Sequence, residues 1–182
     1  MKIMLKNVRL SFPTLWTAEQ YNGKGAFNFS ASFLIPKDSP QVKMLEAAAI
    51  EALNAKFPGK GAALRKAIAG NNNRCCIVDG DSTEYAGHAD HIAVRAKTKT
   101  RPLIIDSNKA PLTEQDGKPY AGCYVNAQIE FFGYDSEGSK GLSAGLVAIQ
   151  FAKDGDSFGG GSVGNVDDFD DVAEGGDAED FV

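Results

Sequence analysis

Three segments of this chain alternate apolar and polar residues with a period of two, and the sustained helical pattern falls in one interval between them. Phe27, Phe29, Ala31, Phe33 and Ile35 are apolar, with Asn28, Ser30 and Ser32 between them. Val125, Ala127, Ile129 and Phe131 repeat the pattern, with Asn126, Gln128 and Glu130 on the other side. Gly145, Val147, Ile149 and Phe151 give a third run. Residues two apart in an extended chain share a face, so each run reads as a half-buried strand. Phe27, Phe29, Phe33, Phe131 and Phe151 are therefore assigned to the core, and 3–12 and 75–79 are weaker strand candidates. Between the first two strong runs, Ser39 can cap a helix whose first position suits Pro40. Val42, Leu45, Ala49, Leu53 and Phe57 then form a helical stripe. A shorter helix, 61–69, stops at Gly70.

Several short strands, helices confined to one interval and no strand–helix–strand alternation argue against a doubly wound nucleotide-binding sheet. They predict a mainly β fold, an oligonucleotide-binding (OB)-fold-like antiparallel barrel with an inserted helical segment. With 182 residues the chain suits one domain with a real core. No apolar stretch approaches the ~20 residues of a membrane span, and Lys6 and Arg9 interrupt the block a signal peptide needs. Three cysteines, two of them adjacent at Cys75 and Cys76, imply no disulfide framework and suit a reducing cytoplasm.

Charge divides the chain in two. Ten of the 24 acids lie within 154–182, a stretch without Lys or Arg, so residues 1–153 carry 19 basic side chains against 14 acidic ones. Half of 155–164 is glycine, the composition of a flexible coil. The expected organisation is a barrel domain over 1–153 and, over 154–182, a Gly-rich linker and acidic tail that stays unstructured while nothing is bound. A basic body beside an acidic end points to a polyanion partner for the body.

The sharpest local feature lies in residues 92–102. Arg95, Lys97, Lys99 and Arg101 alternate with Ala96, Thr98 and Thr100. In a strand the four cations form one row, about 6–7 Å apart. No acid lies between Asp90 and Asp106 to relieve their repulsion, whereas a phosphate backbone crossing them would. Lysines guarding a sheet edge are the competing reading. Lys109 and Lys118 are further candidates at the rim. Tyr124, Phe132 and Tyr134, on the polar side of their strand, suit base stacking. Trp16, Tyr21, Tyr85 and Tyr120, in stretches that read as loops, are weaker candidates of the same kind. In the tail, Phe169 is set among Asp167, Asp168, Asp170 and Asp171, and Phe181 follows Glu179 and Asp180. Such a peptide suits capture by a basic pocket with an apolar floor. The tail is long enough to visit the cationic row, to compete with DNA there, and to recruit partners once displaced.

The run from Arg95 to Asp106, Pro111 to Tyr120, Ala121 to Ala127, Phe33-Leu-Ile-Pro-Lys37 and the Phe-containing acidic tail together resemble a bacteriophage single-stranded-DNA-binding protein family. The resemblance implies an OB-fold with an inserted helix, sequence-independent binding of single-stranded DNA, and service in phage replication and recombination in the bacterial host's cytoplasm. It also implies a tail that docks replication proteins.

Other constellations are weaker. Cys75, Cys76, His88 and His91 lack the paired spacing of structural zinc and read as small core residues and surface histidines. Asp79, Asp81 and Glu84 lack calcium-loop spacing and read as a strand-exit turn. No phosphate loop or catalytic arrangement stands out, so no cofactor, metal or enzyme activity is expected. The alternatives are a protein-interaction module acting through its acidic tail and, further back, a metal-dependent nuclease. An edge strand able to pair chains leaves self-association open.

Overall fold

The computed structural model describes residues 1–158. In chain order the elements are β1 (Lys2–Tyr21), β2 (Lys24–Pro36), α1 (Gln41–Lys56), α2 (Gly61–Ile68), β3 (Ile77–Asp79), β4 (His91–Thr98), β5 (Leu103–Ile105), β6 (Tyr124–Ser136) and β7 (Ser139–Lys153). β4, β2, β1, β6 and β7 are neighbours in that order, and a parallel pairing of β4 with β7 closes them into a five-stranded barrel. The remaining edge of β4 is taken by β3, which pairs Ile77 with Val94 and Asp79 with Ile92. β5 runs parallel to β7 from Leu103 opposite Ala148 to Ile105 opposite Gln150. The expected mainly β, OB-like barrel with a helical insertion is the fold observed.

The barrel's interior is filled by the alternation that defined the strands. Phe33, Ile35, Val94, Val125, Ile129, Phe131 and Ile149 are buried there. α1 buries Leu45, Ala49 and Leu53 from its predicted stripe, packing over β6. The N-cap position falls on Pro40 rather than on Ser39, whose Oγ accepts from the Gln41 amide at 3.2 Å. Arg65 of α2 grips Glu46 of α1 through two hydrogen bonds of 2.9 and 2.6 Å. Gly70 follows at φ +78, the left-handed stop read from the sequence. No helix among the described residues is long and apolar enough to cross a membrane.

Three expectations need correction, and bulges account for two of them. The weak candidate 3–12 is a strand of 20 residues that takes in Trp16 and Tyr21, which had read as loop. It stays paired despite shifts of register after Leu5, Ser11 and Thr14. The shifts after Leu5 and Ser11 each add one residue to β1 and the shift after Thr14 adds three, which breaks a simple alternation. In β7 the inward set is not Gly145–Val147–Ile149–Phe151. Ile129 faces Leu146 while Gln128 faces Ala148, so Val147 is the extra residue of a bulge. Before it Leu142, Ala144 and Leu146 point inward, and after it Ile149 and Phe151 do.

Phe27, assigned to the core, is 60% exposed, and Phe29 is half-buried. The last residue of β2 that β4 covers is Phe29, opposite Thr98. Beyond that point β1 and β2 run on as a two-stranded arm, turning at Asn22–Gly23. Among the described residues nothing closes over the inner face of that arm, so Tyr21 and Phe27 are exposed.

Candidate nucleic-acid interface

Inward-facing Val94 and Ala96 fix β4 in the barrel, which turns Arg95 and Lys97 outward. Cross-strand pairing sets Ser32 beside Arg95 and Ser30 beside Lys97, with Ser11 and Thr14 of β1 in the next positions. The outer face of β1, β2 and β4 therefore carries hydroxyl residues edged by cations, with Thr14 and Ser30 half-buried and Ser11 and Ser32 buried. The strand ends at Thr98, so Lys99 and Arg101 continue the row through a turn rather than along a strand. All four cations are exposed, and none makes an ion pair among the described residues. Their hydrogen bonds go to carbonyls. Arg95 donates to Asn72 O and, at 3.1 Å, to Cys75 O. Arg101 donates to Trp16 O at 2.8 Å, which ties the turn to the base of the β1–β2 arm.

The arm carries exposed rings beside that row. Tyr21, at its tip, is 85% exposed, and Phe27 projects from β2. Trp16, at the arm's base, is half-buried against the core. Tyr134 reaches the same neighbourhood from the other side, donating from its hydroxyl to Asn73 O at 3.3 Å in the loop that Arg95 also holds. Phe132 is exposed but lines a hollow with Met1, Ala52, Ala55 and Lys56 of the α1 side. Lys118 and Lys109 lie elsewhere. Lys118 Nζ is 4.8 Å from the Phe151 ring, six residues along β7 from the partner of Lys97, Gly145, or about 20 Å. Lys109 is in the turn after β5, where Asp106 accepts from the Asn108 and Ala110 amides.

A second cluster occupies the other half of the same outer face. Tyr124, Arg9, Leu34 and Ala93 form one cross-strand row. The chain leaving β7 at Lys153 turns back across this row. Tyr120 donates from its hydroxyl to Asp154 Oδ1 at 2.7 Å, and Arg9 Nη2 donates to Asp156 O at 2.7 Å. Burial, then the bond to Asp154, raises the Tyr120 pKa. Phe158 ends the segment on a floor of Leu34, Val78 and Ala93, with the Arg9 guanidinium 4.2 Å from its ring centroid. Gly87 lets it in, since a Cβ there would collide with the Phe158 ring. The unstructured reading of 154–182 thus does not extend to 154–158. The tail residues Asp167 to Asp171 and Glu179 to Phe181 lie outside the described residues.

His88 corrects another expectation, since it is 3% exposed rather than on the surface. Its Nε2 shares a 3.0 Å hydrogen bond with Ser11 Oγ, and its Nδ1 has no partner among the described residues. Phe12 and Tyr85 stand over it, with ring centroids 4.8 Å apart and edges toward faces. Cys75 and Cys76 are both buried, and burial pushes the Cys76 thiol well above its ordinary pKa. Lys37 neutralises Asp79 and Asp81 in the strand-exit turn.

The sequence matches, over residues 1–182, the family described as Enterobacter phage Enc34, ssDNA-binding protein. The chain belongs to the Enc34 ssDNA-binding protein family. It is 48% identical over 175 residues to protein p50 of Acyrthosiphon pisum secondary endosymbiont phage 1, covering 95% of both chains. Among solved structures it is similar to the single-stranded DNA-binding protein of bacteriophage Enc34. One structure of that protein aligns with TM-score 0.68 at 25% identity over 93% of this chain and 90% of the other. Another, in complex with ssDNA, aligns with TM-score 0.72 at 23% identity over 87% and 89%. The T7 single-stranded DNA-binding protein gp2.5 shares the fold at TM-score 0.53 and 13% identity, covering 100% of this chain and 99% of that one.

Within this Enc34-family chain, several exposed or site-lining residues escaped the sequence reading. Phe27 was assigned to the core by its alternation. Arg9, Phe12 and Phe158 carried no local signal, because each acquires its place through contacts distant in sequence. An isolated positive φ at Phe12, +46, is what turns its ring outward.

Proposed function

We propose that this chain binds single-stranded DNA, without regard to sequence, across the outer face of β1, β2 and β4. The observation that carries the reading is the exposed series Arg95, Lys97, Lys99 and Arg101, unpaired with any carboxylate among the described residues and bordered by hydroxyls and exposed rings. Like charges held in a row repel until a polyanion neutralises them, and phosphates do so in any sequence. Tyr21 and Phe27 on the arm, with Trp16 at its base, offer stacking surfaces that every base fits. A single strand can splay its bases onto such rings, whereas a duplex keeps them stacked internally. The protein acts by binding and not by catalysis, in phage DNA replication, recombination and repair in the host cytoplasm. The acidic tail, through Asp167, Asp168, Phe169, Asp170, Asp171, Glu179, Asp180 and Phe181, competes with DNA for the cations and recruits replication proteins when displaced.

Fluorescence anisotropy with a thymine oligonucleotide and a matched duplex tests this. Four neutralised phosphates give log affinity a slope near about −2.8 against log salt, and Lys97→Ala with Lys99→Ala should bring it to about −1.4. A chain ending at Phe158, which keeps the docked segment, should bind DNA more tightly than the full chain. A slope near zero would overturn the electrostatic reading. Weak DNA binding at low salt, with a partner captured by the tail peptide, would favour the interaction module instead.

A further inference from the structure

We propose that the cavity between Phe12 and Phe158 is a nucleobase pocket on the path of the bound strand. The inference rests on the single-stranded DNA reading and assigns one subsite within it. The cavity has a volume of about 400 Å³ and is lined by Ser11, Phe12, Pro13, Ala86, Ala121 and Phe158. That volume lies within the range of small-molecule sites, and the lining is apolar apart from one hydroxyl.

Its position is set by register. Ser11 pairs with Ser32, and Ser32 pairs with Arg95. Two strand spacings, about 10 Å, therefore separate the Ser11 backbone from that of the first cation of the row. The outer face is covered on one side of this line by Phe158 and the loop carrying His88, and carries Lys97 on the other. The cavity opens where the two halves meet. A strand whose phosphate is neutralised at Arg95 runs past its mouth, and a base turned inward leaves water for an apolar space flanked by rings.

Both aromatic walls are fixed before any ligand arrives. Phe12 is held edge-on by Tyr85 and His88, at centroid distances of 4.8 and 5.8 Å. Phe158 is held by Arg9 above, by Leu34, Val78 and Ala93 below, and by its own amide, which donates to Ala121 O at 3.1 Å. Ordering rings in advance removes part of the entropic cost of capturing a base. An apolar protein side chain would fill the same space, but the adjoining cations favour an occupant that brings phosphates with it.

The test uses the full chain with a thymine oligonucleotide, and compares Phe12→Leu, Phe12→Trp and Lys97→Ala by anisotropy and thermal unfolding. Photocrosslinking of the same oligonucleotide, mapped by mass spectrometry, identifies the rings that touch bases. Phe12→Leu should weaken binding by about tenfold, the value of one stacked base, with the salt slope unchanged. Phe12→Trp should bind within about twofold of the parent chain, and crosslinks should fall on Phe12 or Phe158. Parental affinity in Phe12→Leu, with crosslinks confined to the arm, would overturn the pocket. If Lys97→Ala still lost affinity and salt dependence in that case, the binding face would stand without it. Equal losses in the Leu and Trp variants, with lowered melting temperatures, would show a packing role and overturn it too. No binding by the parent chain would overturn both readings.

Discussion

His88 shows how much one side chain can be decided by its surroundings. Burial, and then the neighbouring charge of His91, hold its pKa below the usual histidine value. An unfolded His88 takes up a proton near pH 6.5, whereas the folded one resists it. The unfolded chain therefore binds more protons below about pH 6.5, and stability falls as the pH is lowered through that window. Above it, the residue adds no pH dependence. Urea unfolding at pH 7.5 and 5.5 should show the loss, and His88→Asn should flatten it. Equal stability of the parent chain at both pH values would contradict this account. Gly87 makes a second point at the same scale. It combines φ +79 with a ring where a Cβ would stand. Gly87→Ala should cost about 1–3 kcal/mol in thermal unfolding, from left-handed strain and displacement of Phe158. Neither role was legible in the sequence, where His88 read as a surface residue and Gly87 carried no signal. Each acquires its role from a residue distant in the chain, Ser11 for one and Phe158 for the other.

Strands and helices were more readable, because alternation and the helical stripe reflect burial directly. The pattern located β2, β6 and β7, and the stripe from Val42 to Phe57 located α1. It erred where an element leaves the barrel or gains a residue. Phe27 and Phe33 obey the same alternation, yet Phe27 is on the free arm and Phe33 is fully buried. Truncation separates the two. Phe33→Ala should cost about 3–5 kcal/mol, as expected of a buried aromatic residue. Phe27→Ser should change stability by no more than about 0.5 kcal/mol. Chemical denaturation of both variants decides the matter, and a large loss from Phe27→Ser would mean that the arm packs against something. The cationic row was likewise half legible. Alternation puts Arg95 and Lys97 on one side of β4, while the end of β4 at Thr98 takes Lys99 and Arg101 out of the straight row that the spacing predicts.

For the molecule as a whole, the barrel is larger than its last strand suggests. Asp154 to Phe158 engage Tyr120, Arg9 and Ala121, so a boundary drawn at Lys153 cuts through packed structure. A chain ending at Phe158 should melt close to the full-length protein, and one ending at Lys153 measurably lower. Equal melting of the two truncations would show that the segment adds nothing to stability. The closure of the barrel has a consequence of its own. β4 and β7 are registered at one position, Lys97 opposite Gly145, whereas β6 and β7 are paired along nearly their whole length. That closure is a short seam, continued beyond β4 by Cys75 against Leu142, and it includes Lys97, one of the cations we propose for the DNA interface. A ligand that prefers the closed form stabilises it by mass action. On the proposed interface, a phosphate backbone lying across Lys97 also acts as a clasp, and amide exchange around Lys97 and Gly145 should slow more on DNA binding than exchange in the middle of β6.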